Sequence, residues 1–193
     1  MKNQITLFFL FLSIAAFSQS TESLKVATAK LYEANYLMDF DVLVYLAYPK
    51  LTESKTEKDT TLDELDLAYQ NGDYRMRLQL EKVSFQFGTI KKLDAKSFCI
   101  ITFRNPIRYF FETKLTDKTV AETKAWLQEI NHTKDVIFEP GRNSFNVKKT
   151  TTYVAVMDDN TNKEWKFFNF DISTQQQLFK ILFPKNIQKA LGL

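Results

Sequence analysis

Histidine and cysteine occur once each in this chain of 193 residues, and glycine and proline only four times each. A lone cysteine, Cys99, excludes an internal disulfide. It stands in the apolar run "KSFCIITF", where a buried, unreactive thiol is expected. One histidine, one cysteine and scattered carboxylates do not have the converging spacing of a metal site, and no cofactor is implied. The glycine-flanked serine elbow of α/β-hydrolases is missing, as is any glycine-rich phosphate loop. Scarce glycine and proline predict long elements and few loops. The 26 basic and 23 acidic residues are interleaved, as in "KLTESKTEKDTTLDELD", without a long basic stripe. That argues against nucleic acid as a partner, because a phosphate backbone is met by clustered cations.

The first twenty residues, "MKNQITLFFLFLSIAAFSQS", are of another kind. Lys2 precedes an uncharged apolar run from Ile5 to Phe17, and Ala16 and Ser18 are small residues with signal-peptidase spacing. This is the three-part pattern of a secretory signal. The run is shorter than the ~20 apolar residues that span a bilayer as a helix. No cysteine stands nearby to carry a lipid, so no membrane anchor is expected. The expectation is a signal peptide at 1–18, a mature chain starting at Gln19, and a periplasmic or secreted protein. Removing 18 of the 193 residues would leave 175, enough for a single domain at 19–193 with a core of its own.

Helical periodicity predicts a helix at about 22–36, with Leu24, Ala27, Leu31 and Ala34 on one side. Asp39 would cap a second helix, ended by Pro49. Thr61 and Glu64 have capping-box spacing for a third, with Asn71-Gly72 as a left-handed stop. The period then switches to two. Tyr74, Met76, Leu78 and Leu80 alternate with polar residues, and so do Val83, Phe85 and Phe87, but the phase slips by one between Leu80 and Val83. A flat strand would turn half of these side chains outward, so a bulge or bend near Glu81 is expected, and with it a curved sheet. Strands follow at 97–104 and 107–115. A fourth helix at 118–131 has Thr119 and Glu122 at capping-box spacing and Val120, Leu127 and Ile130 on one side. "FEPGRN" reads as a turn, and Phe145–Val147, Thr152–Met157 and Lys163–Phe170 as strands. "DDNTN" would be a hairpin loop, and the tail would be helical on both sides of Pro184. Helices first, then mostly antiparallel strands, is an α+β order.

The stretch "NYLMDFDVLVYLAYPKLTE", with its helix ending at Tyr-Pro, resembles the start of an NTF2-like domain. The late hairpin "TYVAVMDDNTNKEWKFFNF", with its Trp165 and Phe167 pair, is similar to the closing strands of such domains. The resemblance covers most of the mature chain in order and pattern. It implies N-terminal helices packed across a strongly curved, mostly antiparallel sheet to make a cone. The inserted helix at 118–131 departs from the simplest order. The superfamily contains isomerases, dehydratases and many non-catalytic binders, so the fold does not choose among them. Its enzymes place Asp, His or Tyr on the inner wall of the cone.

Asp41 and Tyr45, four apart on a helix, are the candidate acid–base pair, against the plainer reading of a capping carboxylate near a packed tyrosine. His132, in "EINHTKD", could work as a base with Asp135, although a solvated loop histidine is the ordinary reading. "NHT" carries the glycosylation pattern at Asn131. Arg104 and Arg108 in "FRNPIRYFF" could hold an anion, or pair with a carboxylate such as Glu112. In "WKFFNF", alternation sends Trp165, Phe167 and Asn169 to one side and Lys166, Phe168 and Phe170 to the other. A strand with aromatics on both sides is covered on both, by helices and by a further element or a second subunit of a homodimer. Tyr45, Arg104 and Trp165 are the candidate ligand contacts, with core packing as the main expectation for Trp165.

Two function classes remain. One is an exported, non-catalytic binder of a small apolar ligand in the cone, or of a protein partner on the sheet. The other is a small cone-pocket enzyme of the isomerase, dehydratase or hydrolase kind. An ionisable residue on an inward strand position is the feature that separates them. Met76, Leu78 and Leu80 on one such side, and Trp165, Phe167 and Asn169 on the other, supply none.

Overall fold

In the computed structural model, which describes residues 21–79 and 81–193, helices come first and a sheet follows. Helix α1 covers residues 21–37, α2 Phe40–Leu46 and α3 Lys55–Tyr69, with a 3-10 turn at Pro49–Leu51. Strands β1 (Arg75–Leu78), β2 (Gln86–Phe87), β3 (Lys91–Leu93) and β4 (Lys96–Phe110) lead to α4 (Asp117–Ile130). Strands β5 (Val136–Glu139), β6 (Ser144–Met157) and β7 (Lys166–Asn169) precede α5 (Ser173–Leu182) and α6 (Lys185–Leu191). The class is α+β, and the seven strands of the described residues form one antiparallel sheet. The expected signal segment at 1–18 lies outside the described residues.

Two long strands carry the sheet. β4 and β6 pair along 14 positions, from Ser97 opposite Met157 to Phe110 opposite Ser144. The sequence reading split each of them in two. In β4 the gap between the two expected strands falls at Asn105-Pro106, yet Pro106 is tolerated in mid-strand for a geometric reason. The N and C=O of one strand residue point toward the same neighbour. The Pro106 carbonyl accepts from the Gln79 amide at 2.8 Å, so the missing N–H faces the side where β1 has just ended. The β6 ladder needs no donor there. Neither β3 nor β5 had been anticipated.

The phase slip near Glu81 is a strand break. β1 and β2 both pair with β4, Leu78 opposite Ile107 and Gln86 opposite Thr102. Between these pairs the β1–β2 side advances eight residues and β4 advances five. Three extra residues, an odd number, invert the inside–outside phase. Leu78 and Phe87 therefore fall on the same face despite their conflicting parity in sequence. Val83, Phe85 and Phe87 pack against that face.

On β4 the odd-numbered residues Cys99, Ile101, Phe103, Ile107 and Tyr109 are buried facing inward. Leu24, Leu31 and Ala34 of α1 and Leu43 and Leu46 of α2 cover one part of this face. Tyr69 of α3 and Leu127 of α4 cover the other. On the opposite face Phe98, Val154, Val156 and Phe168 pack against Phe179 and Phe183 of α5–α6 and against Tyr48. The chain thus covers both sides of "WKFFNF" itself. Trp165 and Phe167 join the inner cluster, and Phe168 the outer one. The reason for placing a second subunit on the outer side falls away.

Local signals set the helix ends. Asp39 accepts from the Val42 amide at 3.1 Å and caps α2 as expected. α3 starts earlier than the Thr61–Glu64 spacing implied. Ser54 and Glu57 form the capping box, and Thr61 lies inside the helix with its hydroxyl donating to Leu51 O at 2.9 Å. The helix stops in extended backbone at Gln70, without a left-handed glycine. In α4 the box is Thr116–Thr119, one turn's register away from Thr119–Glu122. Leu127 of that helix is buried, whereas Ile130 is exposed.

Candidate functional site

The inward face is not filled everywhere. Between α1, α3 and the sheet lies a cavity of about 210 Å³. Its apolar wall includes Leu65, Met76, Leu78 and Ile107. Four tyrosines complete it, Tyr69, Tyr74, Tyr109 and Tyr153. Tyr69 donates to Asn35 O at 2.9 Å and Tyr109 to Asn131 Oδ1 at 3.2 Å. Burial pushes Tyr109 up to about 12 and raises Tyr69 and Tyr153 as well, so all three stay neutral.

One corner of the cavity is polar. Asn105 of β4 stands directly opposite Lys149 of β6, on the same inward face. Lys149 Nζ pairs with Asp171 Oδ2 at 2.8 Å, both side chains being about four-fifths buried. Thr151 donates its hydroxyl to the same oxygen at 2.9 Å and accepts from Asn105 Nδ2 at 3.2 Å. The Thr152 amide reaches Asp171 Oδ1 at 3.3 Å. Asn105 Oδ1 ends this chain, buried and without a hydrogen-bond partner. Turning the amide over does not help, because Thr151 has one proton and the charged Asp171 is the stronger acceptor. A buried carbonyl without a donor costs free energy.

None of these polar residues was singled out from the sequence. Lys149 is an ionisable residue on an inward strand position, the feature sought and missed. It was hidden in "VKKTT", which read as a gap between two strands. Carrying the alternation through Phe145, Val147, Lys149, Thr151 and Tyr153 would have exposed it as the single charge on an inward row. Asp171 comes from the turn after β7, where no periodicity operates.

The residues that were singled out lie elsewhere. Asp41 and Tyr45 are exposed on α2, outside the cavity. The Tyr45 hydroxyl donates to Glu164 at 2.7 Å, so its carboxylate partner is Glu164 in place of Asp41. That bond raises the Tyr45 pKa and, with Lys166 beside it, lowers that of Glu164. Lys166 Nζ sits 3.5 Å from the Tyr45 ring centroid, a cation over an aromatic face. Trp165 is 3 % exposed and donates from Nε1 to Ser23 Oγ at 3.2 Å. Tyr45 and Trp165 both line an open groove of about 550 Å³ beside α1, which shares no lining residue with the inner cavity. Arg104 lies on the outer face and pairs with Asp135 at 2.9 Å. That pairing takes the carboxylate assigned to His132, which is exposed. Arg108 pairs with Glu139, and Glu112 with Arg75. Asn131 is buried, and its amide nitrogen donates to Leu127 O at 3.0 Å, so it is no glycan acceptor in this fold. Cys99 is fully buried, which pushes its thiol up to about 11.

Among the described residues no group of three or more His, Cys, Asp or Glu side chains converges as a metal site, and no helix is long and apolar enough to cross a membrane. No protein-family model matches the chain, and no curated protein matches it. Among solved structures, it is similar to a proposed dehydratase from the NTF2-like family of Streptomyces avermitilis. The identity is 13%, the match covers 78% of this chain and 92% of that one, and the TM-score is 0.36. A likeness at that score carries no argument about fold or activity.

Proposed function

We propose that the protein is an exported, non-catalytic binder of NTF2-like type that holds a small, largely apolar ligand in the cavity between α1, α3 and the sheet. The observation that supports this most is the cavity's composition: an apolar and tyrosine wall with one polar corner, in which a buried carbonyl lacks a partner. Ligand sites commonly combine an apolar lining with a few convergent polar groups. The volume lies below the ~300–1,000 Å³ of sites for drug-sized molecules, so the ligand is small.

The second reading, a cone-pocket enzyme, is favoured by Lys149 and Asp171 on the inward side. Two features weigh against it. Asp171 already accepts from Lys149, Thr151 and Thr152, which leaves little of its acceptor capacity for a substrate proton. His132, Asp41 and Tyr45 all lie outside the cavity. The test is ligand-observed NMR of the full chain with a library of small apolar fragments. Ala68 lines the cavity and is exposed, so Ala68→Trp closes the mouth without disturbing the core. Fragments should bind the parent and not this variant. Equal binding to both would refute the cavity as the site.

A further inference from the structure

Outside the inner cavity we propose a second site, which binds a small methylated ammonium ion. An open cleft of about 450 Å³ lies where the turn from α3 to β1 and the segment after β4 meet α4. It shares no lining residue with the inner cavity. Phe111, Leu115 and Trp126 make its apolar side, and Asp73, Glu112 and Glu122 its charged side. Among the described residues no lysine, arginine or histidine lines it. The fold holds the aromatic side in place. Tyr74 packs on Trp126 and Phe111 with ring centres 5.7 and 6.4 Å apart, and Trp126 meets Tyr109 at 6.5 Å. Even so, Trp126 is 37 % exposed, whereas Trp165, the other tryptophan, is buried.

The chain answers these carboxylates only in part. Among the described residues Arg75 pairs with Glu112 at 2.8 Å and Lys118 with Glu122 at 3.9 Å, while no cation pairs with Asp73. Both pairs are solvent-exposed and therefore weak. Nor do the three carboxylates converge as metal ligands among the described residues. An anion is repelled by all of them. A neutral molecule gains from the rings and nothing from the charges. A primary ammonium is compact and strongly hydrated, and needs several acceptors close around it. A fully methylated ammonium has no N–H to satisfy and spreads its charge over its methyl groups. Ring faces and carboxylates attract it at once.

The probes are choline, its uncharged isostere with carbon in place of nitrogen, and ethanolamine, titrated into the full chain near neutral pH. The two tryptophans give two indole N–H signals in NMR, so the site reports on itself. Choline should move the Trp126 signal and leave that of Trp165 in place. The isostere should bind about threefold to thirtyfold more weakly, the effect of a cation over an aromatic face, and ethanolamine more weakly than choline. Asp73 is exposed, so Asp73→Asn leaves the core alone. That variant should weaken choline binding and leave the isostere's affinity unchanged. Vesicles of phosphatidylcholine should leave the Trp126 signal sharp, because the lipid phosphate would lie beside the same carboxylates. Equal binding of choline and its isostere would overturn the proposal, as would tighter binding of ethanolamine or a choline affinity untouched by Asp73→Asn. A response at Trp165 alone, or at neither signal, would overturn it too. A Trp126 signal broadened by vesicles and unmoved by choline would replace the free ion with a lipid headgroup. Failure here leaves the inner-cavity reading intact, because the two sites share no lining residue.

Discussion

Replacing Trp165 with alanine tests whether "WKFFNF" serves the fold or a ligand. The indole is 3 % exposed and belongs to the cluster that joins Leu24 and Leu31 of α1, Leu46 of α2 and Phe167 of β7. Its truncation removes the aromatic packing between α1 and the β6–β7 hairpin, and with it the Nε1 bond to Ser23. Large-to-alanine changes of this kind cost ~3–5 kcal/mol, because the lost burial adds to the cavity left behind. For a domain of this size that lowers Tm by about 6–20 °C. A natural domain has only ~5–15 kcal/mol in total, so poor accumulation of the variant is the extreme form of the same result. Tyr45→Phe is the control. It keeps the ring beneath Lys166 and deletes a solvent-exposed hydroxyl bonded to Glu164, so its melting curve should overlay the parent's. Both variants are melted without ligand and followed by far-UV circular dichroism. If Trp165→Ala melts with the parent, the aromatic strand is not core. The groove that Trp165 shares with Tyr45 would then replace the inner cavity as the leading site.

Export and alkaline stability give two further tests. Intact-mass spectrometry of protein released by its native cell should find a chain starting at or near Gln19, and a mature protein retaining Met1 would contradict the export reading. Burial holds Cys99 at about 11 and Tyr48 and Tyr109 at about 12, against ordinary values of ~8.5 and ~10. Between about pH 8.5 and 12 the unfolded chain therefore holds fewer protons than the folded one, and stability falls as pH rises. A Tm that stays flat from pH 9 to 12 would show that these groups are not buried as described.

Sequence pattern reached the helices-first order of an α+β chain, the burial of Cys99 and the two-sided cover of "WKFFNF", because each depends on local periodicity. It also reached the break near Glu81, since an odd insertion leaves its mark as inverted parity. It failed where long-range pairing overrides a local signal. Pro106 reads as a strand end, but β1 departs on its donor side and β6 holds it in the ladder. Two capping-box spacings sit close together, Ser54–Glu57 and Thr61–Glu64. The helix begins at the first because Thr61 is bonded to Leu51. The polar corner was least legible. Asn105, Lys149 and Asp171 stand 44 and 22 residues apart along the chain, and the β4–β6 register and the turn after β7 bring them together.

The central claim is that a small ligand occupies the inner cavity, and a crystal structure grown with cyclohexanol tests it most directly. The account predicts density for the ring against Met76 and Ile107. An empty cavity, with the probe lying instead in the groove beside Tyr45 and Trp165, would contradict it.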